Sequence, residues 1–130
     1  MNDKMHSIEA LKEKVARFCD ERDWGQFHDP KELAIGLVTE SSELLELFRF
    51  LSKDETLDLL KCPEKSEMIS DELADVLFMI LRFSGFWGID LSESLFKKLE
   101  KNEKKYPVGL CKGKNKKYTE YQSGQDGDLQ

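Results

Sequence analysis

Four acidic side chains form two pairs with the same internal spacing, Glu40-x-x-Glu43 and Glu72-x-x-Asp75. On an α-helix, residues three apart lie on one side, about one turn from each other. Carboxylate oxygens are ligands for hard divalent cations such as Mg²⁺, which usually combines one or two carboxylates with waters and substrate phosphates. Two antiparallel helices that carry these pairs could therefore close four oxygen donors around a metal.

The positions of these acids on their helices distinguish them from ordinary surface residues. On a helical wheel, Glu40 falls inside the apolar stripe of its helix and Glu43 lies at the stripe's edge, whereas Glu46 falls outside it. In the later helix, Glu72 is inside the stripe and Asp75 is at its margin. Carboxylates are costly to bury without a partner, so the two pairs together favour one shared cation.

Three other interpretations of the acidic pairs are weaker. A single E-x-x-E pattern usually marks a solvated helix face, and two pairs could also belong to structural salt bridges. A carboxylate bundle that holds two irons typically adds Glu-x-x-His motifs on two of its helices. The chain has only two histidines, His6 and His28, and neither lies in the two helices concerned.

Capping signals predict the elements that carry these residues. Asp29 at the N-cap, Pro30 at N1 and Glu32 at N3 mark a helix start, and Ser52 with Glu55 repeats the capping-box pattern. No stretch alternates with period two. We therefore predict an all-α fold, with a bundle of four main helices over about 8–22, 30–51, 63–86 and 91–106 and a short helix through about residue 60. Residues 1–121 would form one domain, and residues 122–130 a disordered C-terminal tail.

Composition narrows the functional classes. The chain has 130 residues and a formal net charge of −6, so it lacks the excess of cations that binding to a nucleic-acid polymer needs. A free nucleotide could still bind together with a divalent cation. The longest apolar run, Val76 to Leu81, is too short to span a membrane. Three widely spaced cysteines with no CxxC pair argue against a zinc site or a disulfide framework and favour a cytoplasmic location.

The two acidic pairs resemble the signature of the MazG-like, all-α nucleoside triphosphate pyrophosphohydrolases. Further segments are similar to the dCTP pyrophosphatase branch of that family: residues 21–28, 30–33, 43–48, 98–107 and 113–120. The similarity runs in one order through residues 8 to 121.

The resemblance implies a hydrolase that depends on Mg²⁺, with Mn²⁺ as a substitute. It would cleave a nucleoside triphosphate between the α and β phosphates, giving a monophosphate and pyrophosphate. Glu40, Glu43, Glu72 and Asp75 would be the metal ligands and the catalytic residues, and either Glu40 or Glu43 could act as the general base. Family members are helical dimers or tetramers, so the resemblance also implies a homodimer or homotetramer in which assembly completes the core.

Substrate contacts are likewise implied by the resemblance. Lys98 is the first choice for the phosphates, followed by Asn102, Lys105, Tyr106, Arg22 and Lys31. The base would stack on aromatic side chains, because stacking tolerates any nucleobase. The residues implied for the base site lie between the first two helices and beyond them: Trp24, Gly25, Gln26, Phe27, His28, Phe50 and Met79. Without the resemblance, Trp24 and Phe27 could equally pack under a loop.

Three positions depart from that branch. Its animal members resemble this chain but have His at the position of Val15, Trp at Phe50 and Tyr at Met79. Loss of the His and the Tyr removes hydrogen-bonding groups, which give a pocket its strongest discrimination. The resemblance therefore predicts hydrolysis of a deoxynucleotide such as dCTP or a modified pyrimidine without fixing the base. The alternative is a non-catalytic nucleotide-binding or helical interaction protein that retains the fold.

Overall fold

A computed structural model describes residues 2–122, and all the regular elements within that range are helical. The seven α-helices are α1 (Ile8–Asp20), α2 (Pro30–Glu46), α3 (Lys53–Leu59), α4 (Pro63–Phe86), α5 (Leu91–Lys105), α6 (Val108–Cys111) and α7 (Tyr118–Gln122), and a 3₁₀ turn spans Trp24–Phe27. No strand occurs in this part of the chain, which confirms the all-α prediction. The predicted tail begins at the last residue of α7 and otherwise lies outside the described residues.

Side-chain caps start the helices at the predicted places. Asp29 Oδ1 accepts the backbone N–H of Glu32 at 2.9 Å, with Pro30 as the first residue of α2. At the start of α3, Ser52 Oγ accepts from Glu55 N at 3.3 Å and Glu55 Oε2 accepts from Ser52 N at 2.7 Å. These bonds satisfy N–H groups that have no partner within the helix. The caps therefore fix where the site-bearing helix α2 begins.

The predicted ends of the first two long helices were wrong. Helix α1 ends at Asp20 rather than Arg22, because Asp23 has a φ of 52° and the chain turns there. Helix α2 ends at Glu46 rather than Leu51. A turn follows it, and Phe50 adopts a φ of 66° in the left-handed region, which a helix cannot continue.

The first structural unit, Met1–Ile89, is built around α4. Helix α4 packs against both α1 and α2. The buried apolar side chains come from all three helices: Cys19, Leu33, Ile69 and Leu81. Because Leu33 and Ile69 lie on the same stripes as Glu40 and Glu72, this packing turns both acidic residues toward the contact between α2 and α4.

The second unit, Asp90–Gln130, contains α5, α6 and α7. Tyr106 at the end of α5 packs edge-on against Tyr118 and Tyr121, with ring centroids 6.2 and 6.5 Å apart. Helices α6 and α7 were not predicted, since they have four and five residues and are too short to show an apolar stripe. The single domain over 1–121 and the four-helix bundle stay predictions.

Several large apolar side chains of α2 and α4 remain uncovered in the single chain. The exposed fraction is 66% for Val38, 63% for Leu45, 51% for Leu73 and 44% for Leu77. None of the described helices is long and apolar enough to cross a membrane.

The cap of α2 gives a first testable prediction. We expect Asp29→Ala to lower the free energy of unfolding by about 1 kcal/mol, because the Glu32 N–H loses its acceptor. Asp29→Asn should recover most of this loss, since asparagine keeps an oxygen at the N-cap. Urea unfolding followed by circular dichroism would measure both variants. Equal destabilisation by alanine and asparagine would show that the charge, and not the cap, is what matters.

Candidate metal centre and nucleotide groove

Three of the four acidic residues converge where α2 meets α4. Glu40, Glu43 and Glu72 each offer a carboxylate oxygen, and these three oxygens lie within 4.8 Å of one another. The i, i+3 spacing brings the first two together on α2, and the packing of α4 supplies the third. A cluster of this size could supply several of the oxygen ligands of one divalent cation.

Burial makes this cluster different from a surface acidic patch. Glu40 and Glu72 are both half-buried, whereas Glu43 is exposed. Glu72 Oε2 is buried and has no hydrogen-bond partner among the described residues. Buried polar atoms nearly always have a partner, so an orphaned carboxylate oxygen in an acidic cluster fits a bound cation.

The charges of the cluster act on one another. Burial raises the pKa of Glu40 above its ordinary value, and the nearby carboxylates of Glu43, Asp75 and Glu72 raise this pKa further. Like charges in a partly desolvated place disfavour the ionised form. A divalent cation would relieve this repulsion, so the donor set fits Mg²⁺ both in chemistry and in charge.

Asp75 occupies a different position from the other three. It is exposed and lies outside the group of three converging oxygens, although its charge acts on Glu40. It also lines an open groove of about 510 Å³ in the first unit. Asp75 therefore links the acidic cluster to this groove.

The groove has mainly apolar walls. Its lining consists of Lys14, Val15, Phe18, Trp24, Asp75, Phe78 and Met79. Phe18 is at the centre of an aromatic cluster, with its ring centroid 5.6 Å from Trp24 and 5.9 Å from Phe78, both edge-on. Trp24 remains 40% exposed. Aromatic surface of this kind can stack a planar ring next to the acidic cluster.

Gly36 of α2 determines how Met79 fits. A Cβ at this position would lie 2.9 Å from Met79 Sδ, closer than two such atoms can approach. The glycine thus lets Met79 lie against α2. Phe18, Phe78 and Gly36 were not among the predicted site residues. Phe18 falls on the apolar stripe of its helix, and Phe78 belongs to a helix that is apolar nearly all round, so both look like ordinary core residues. No pattern within α2 marks the glycine.

The polar groups of the turn that carries Trp24 form hydrogen bonds with other groups of the protein. Gln26 Nε2 donates to the backbone oxygen of Asp23 at 3.0 Å and to its Oδ2 at 2.8 Å. His28 Nδ1 accepts a hydrogen bond from Arg82 Nε at 2.9 Å. Burial, and secondarily the charge of Arg82, lower the pKa of His28 below its ordinary value.

The remaining residues predicted to contact the base lie outside the lining of the groove. Gly25 is half-buried beside Arg82, and Phe27 is 64% exposed. Phe50 is 90% exposed, and the Arg49 guanidinium lies 4.6 Å from its ring centroid. The structure therefore brings Trp24 and Met79 together in the groove and does not bring Gly25, Phe27 or Phe50 into it.

Four of the residues predicted to contact phosphate, Lys98, Asn102, Lys105 and Tyr106, belong to α5 and its end, in the second unit. The other two lie in the first unit, where Arg22 Nη1 donates to Phe18 O at 2.9 Å and Lys31 Nζ lies 4.0 Å from Glu32 Oε1. Lys98 is exposed and Asn102 is half-buried. The backbone oxygen of Asn102 accepts from the N–H of Tyr106 at 2.8 Å, and Tyr106 packs in the tyrosine cluster described above. Their part in binding phosphate stays a prediction.

Comparison with known proteins identifies what this arrangement is similar to. The sequence profile of the MazG-like family matches residues 35–121. The mouse protein dCTP pyrophosphatase 1 is 35% identical over 91% of this chain and 69% of its own length. The cattle protein of the same name is 32% identical over 95% of this chain and 73% of its own length. A solved structure of a pyrophosphatase from Archaeoglobus fulgidus superposes with a TM-score of 0.73 at 37% identity, covering 78% of this chain and 94% of that one.

The raised pKa of Glu40 predicts how pH affects the metal-free protein. Because the folded state holds the Glu40 proton more tightly than the unfolded state, metal-free stability should fall as pH rises through the range above 4.5, the ordinary pKa value. Glu40→Gln should flatten this part of the profile. Thermal unfolding in EDTA at several pH values would measure it. The solvent-side variant Glu46→Gln should leave the slope as in the wild type; a slope unaffected by Glu40→Gln would contradict the assignment.

Proposed function

This chain belongs to the MazG-like family and is a hydrolase that acts on phosphoric anhydrides, and from this premise we propose that it is a Mg²⁺-dependent nucleoside triphosphate pyrophosphohydrolase. The proposed substrate is a nucleoside or deoxynucleoside triphosphate, such as dCTP or a modified pyrimidine deoxynucleotide. The products would be the nucleoside monophosphate and pyrophosphate. Such an enzyme would remove surplus or altered nucleotides from the cell's nucleotide pool.

One observation supports this proposal above the others. The carboxylates of Glu40, Glu43 and Glu72 converge at the buried contact of two helices, and Glu72 Oε2 has no partner among the described residues. A scaffold that binds no cation has no reason to bring three repelling carboxylates, two of them half-buried, to one contact between helices. The apolar groove that Asp75 joins to this cluster is a suitable place for the base.

The residues of the cluster suggest how hydrolysis would proceed. Glu40, Glu43 and Glu72 would hold Mg²⁺, with Asp75 as a fourth oxygen donor on the groove side. When bound, the cation would neutralise charge on the phosphate oxygens, and most of the catalysis of phosphoryl transfer is positioning and neutralisation of this kind. A carboxylate oxygen of Glu40 or Glu43 would accept a proton from the attacking water. The water oxygen forms a bond to phosphorus, the bridge between the α and β phosphates breaks, and pyrophosphate leaves with the bond's electrons.

Recognition of the base would depend on stacking and shape. Trp24 and Phe18 offer aromatic surface, and Val15 and Met79 close the groove without hydrogen-bonding groups. A pocket of this kind cannot strongly reject a base that differs only in its polar edge. We therefore propose activity on several pyrimidine deoxynucleotides rather than on dCTP alone. The other residues predicted for the base lie outside the groove lining and stay predictions: Gly25, Gln26, Phe27, His28 and Phe50. Lys98, Asn102 and Tyr106 likewise stay predictions for the triphosphate.

Assembly and location are part of the proposal. The uncovered apolar side chains of α2 and α4, such as Val38 and Leu73, support a homodimer or homotetramer. A cytoplasmic location agrees with the three free thiols, Cys19, Cys62 and Cys111.

Product analysis tests the reaction. Purified protein with Mg²⁺ and each common deoxynucleoside triphosphate should release the monophosphate and pyrophosphate in equal amounts, separated by ion-exchange chromatography. Omitting the metal or adding EDTA should stop the reaction. Release of orthophosphate and a nucleoside diphosphate would contradict cleavage between the α and β phosphates. Tight nucleotide binding without turnover would instead support a non-catalytic binding protein.

Substitution in the acidic cluster tests the metal site. Glu72→Gln should lower kcat by roughly 100-fold or more, since loss of one group that stabilises the transition state costs that much. Wild-type protein should gain about 2.7 kcal/mol of stability when Mg²⁺ is a hundredfold above its dissociation constant, because the assembled cluster exists only in the folded state. Glu72→Gln should lose most of that gain, measured as the Mg²⁺-dependent rise in Tm.

Glu46→Gln provides the matched control. Glu46 is on the same helix as Glu40 and is exposed, with its side chain paired to Arg49 at 2.9 Å. Its replacement should leave both the turnover and the Mg²⁺-dependent rise in Tm close to wild type. If Glu46→Gln loses both properties while Glu72→Gln keeps them, the proposed metal site is on the wrong face of the helices.

A further inference from the structure

Arg82 of α4 is a charged residue in the core of the first unit. It is only 4% exposed, and its guanidinium carbon lies 4.9 Å from the ring centroid of Phe86. Within the described part of the chain its one ion pair joins Nη2 to Asp20 Oδ1 at 3.7 Å, and the Asp20 side chain is 69% exposed. Burying a cation is costly unless it is paired and hydrogen-bonded. The short bond from Arg82 Nε to His28 Nδ1 is therefore the main polar contact that fixes this side chain.

This hydrogen bond requires one protonation state of His28. Nδ1 can accept only when it carries no proton, so the ring must be neutral with its proton on Nε2. The lowered pKa of His28, caused first by burial and then by Arg82, favours the same state. A protonated ring would lose its acceptor and would add a second positive charge beside Arg82.

The bond is anchored to the turn that carries Trp24. The backbone N–H of His28 donates to Gly25 O at 3.2 Å, which closes the 3₁₀ turn on its C-terminal side. A Cβ added to Gly25 would lie 3.7 Å from Arg82 Nη2, so the guanidinium lies directly under the turn. Gln26 closes the other side of the turn on Asp23. Arg82 thus holds the turn from α4, and Trp24 extends from that turn against Phe18 in the groove.

We propose that the hydrogen bond from Arg82 to His28 positions Trp24 in the groove, and that uptake of a proton by His28 releases the turn. Arg82 and His28 are in this sense positioning residues, since neither lines the groove. Positioning Trp24 serves the base-stacking role proposed above for that residue. Its importance for catalysis therefore rests on the proposed function.

The charges around His28 define the direction of the pH effect. From α4 the facing group is Arg82, and from the end of α1 it is Asp20, which pairs with Arg82. On the segment of His28 itself, Asp23 accepts from Gln26 and Asp29 caps α2. Because the folded state disfavours the protonated ring, the turn is held at pH above 6.5, the ordinary value, and loosens as pH falls through the lowered pKa.

Two substitutions of His28 separate the acceptor from the titration. Asparagine places Oδ1 near the position of Nδ1, so His28→Asn keeps an acceptor that does not titrate. His28→Leu removes the acceptor and leaves Arg82 Nε without this partner. Trp24 and Trp87 are the only tryptophans, so Trp87→Phe as the background isolates the emission of Trp24.

Acrylamide quenching of Trp24 is the primary measurement, because it needs neither substrate nor metal. With His28 present, we expect the quenching constant to rise about twofold between about pH 7.5 and about pH 5.5. His28→Leu should give the high quenching constant at both pH values, and His28→Asn should give the low quenching constant at both. His6→Gln changes the other histidine and should keep the pH response of the background.

Steady-state kinetics then connects the turn to the base. His28→Leu should raise KM about tenfold, as expected when a buried donor loses its acceptor, with kcat within about twofold of wild type. In a Trp24→Ala background the same substitution should change KM less than about twofold, because both changes act through one contact. Independent, additive effects on KM would show that His28 does not act through Trp24.

The outcomes separate this proposal from the proposed activity. If His28→Leu leaves the quenching of Trp24 unchanged, or if His28→Asn keeps the pH response, the positioning proposal is overturned. Should His28→Leu fail to fold, the asparagine variant alone still decides between these outcomes. If no triphosphate is hydrolysed while the quenching pattern holds, the activity fails and the positioning of Trp24 stands.

Discussion

The repulsion among carboxylates at the contact of α2 and α4 is the constraint on which the other features depend. Two charges about 4 Å apart repel by roughly 4 kcal/mol at an effective dielectric near 20. Glu40 and Glu72 face this cost on the stripes that otherwise hold Leu33 and Ile69 in the core. A divalent cation would neutralise this arrangement, and the orphaned oxygen of Glu72 marks a place where such a cation could bind. Under the proposed function, one cation would therefore serve catalysis and also add to the stability of the fold.

The sequence predicted the parts of the fold that short-range chemistry determines. Helix starts depend on one side chain and the N–H three residues later, so Asp29 and Ser52 were recognised directly. Ends depend on where the chain must reverse. Phe48 and Leu51 continue the apolar spacing of α2, yet the helix ends at Glu46 and the chain turns before the left-handed Phe50. The apolar spacing alone cannot show where the chain reverses, because apolar residues in a turn can face the core just as helical residues do.

The candidate site was predicted unevenly for a similar reason. The carboxylates conflict with the apolar stripes of their own helices, and this conflict is visible in the sequence. Phe18 lies on the apolar stripe of its helix and Phe78 in a helix that is apolar nearly all round, so nothing in the sequence distinguishes a groove wall from the core. The polar atoms of Gln26 and His28 looked available for a ligand. Arg82, 54 residues from His28, supplies the partner that the local sequence does not reveal. Its one signal was a lone charge within the apolar segment of α4.

Helix α4 joins the parts of the site in one rigid element. Glu72, Asp75, Met79 and Arg82 follow one another at steps of three or four residues, so they lie along one side of the helix within about 15 Å. Glu72 belongs to the acidic cluster, and Asp75 links that cluster to the groove. Met79 forms part of the groove wall, and Arg82 anchors the turn that carries Trp24. A rotation of α4 that improved one contact would move the others out of place. The burial of Leu81 and Ser84 holds this helix in place. The geometry of the site therefore depends on these buried residues as much as on the side chains that would touch the nucleotide.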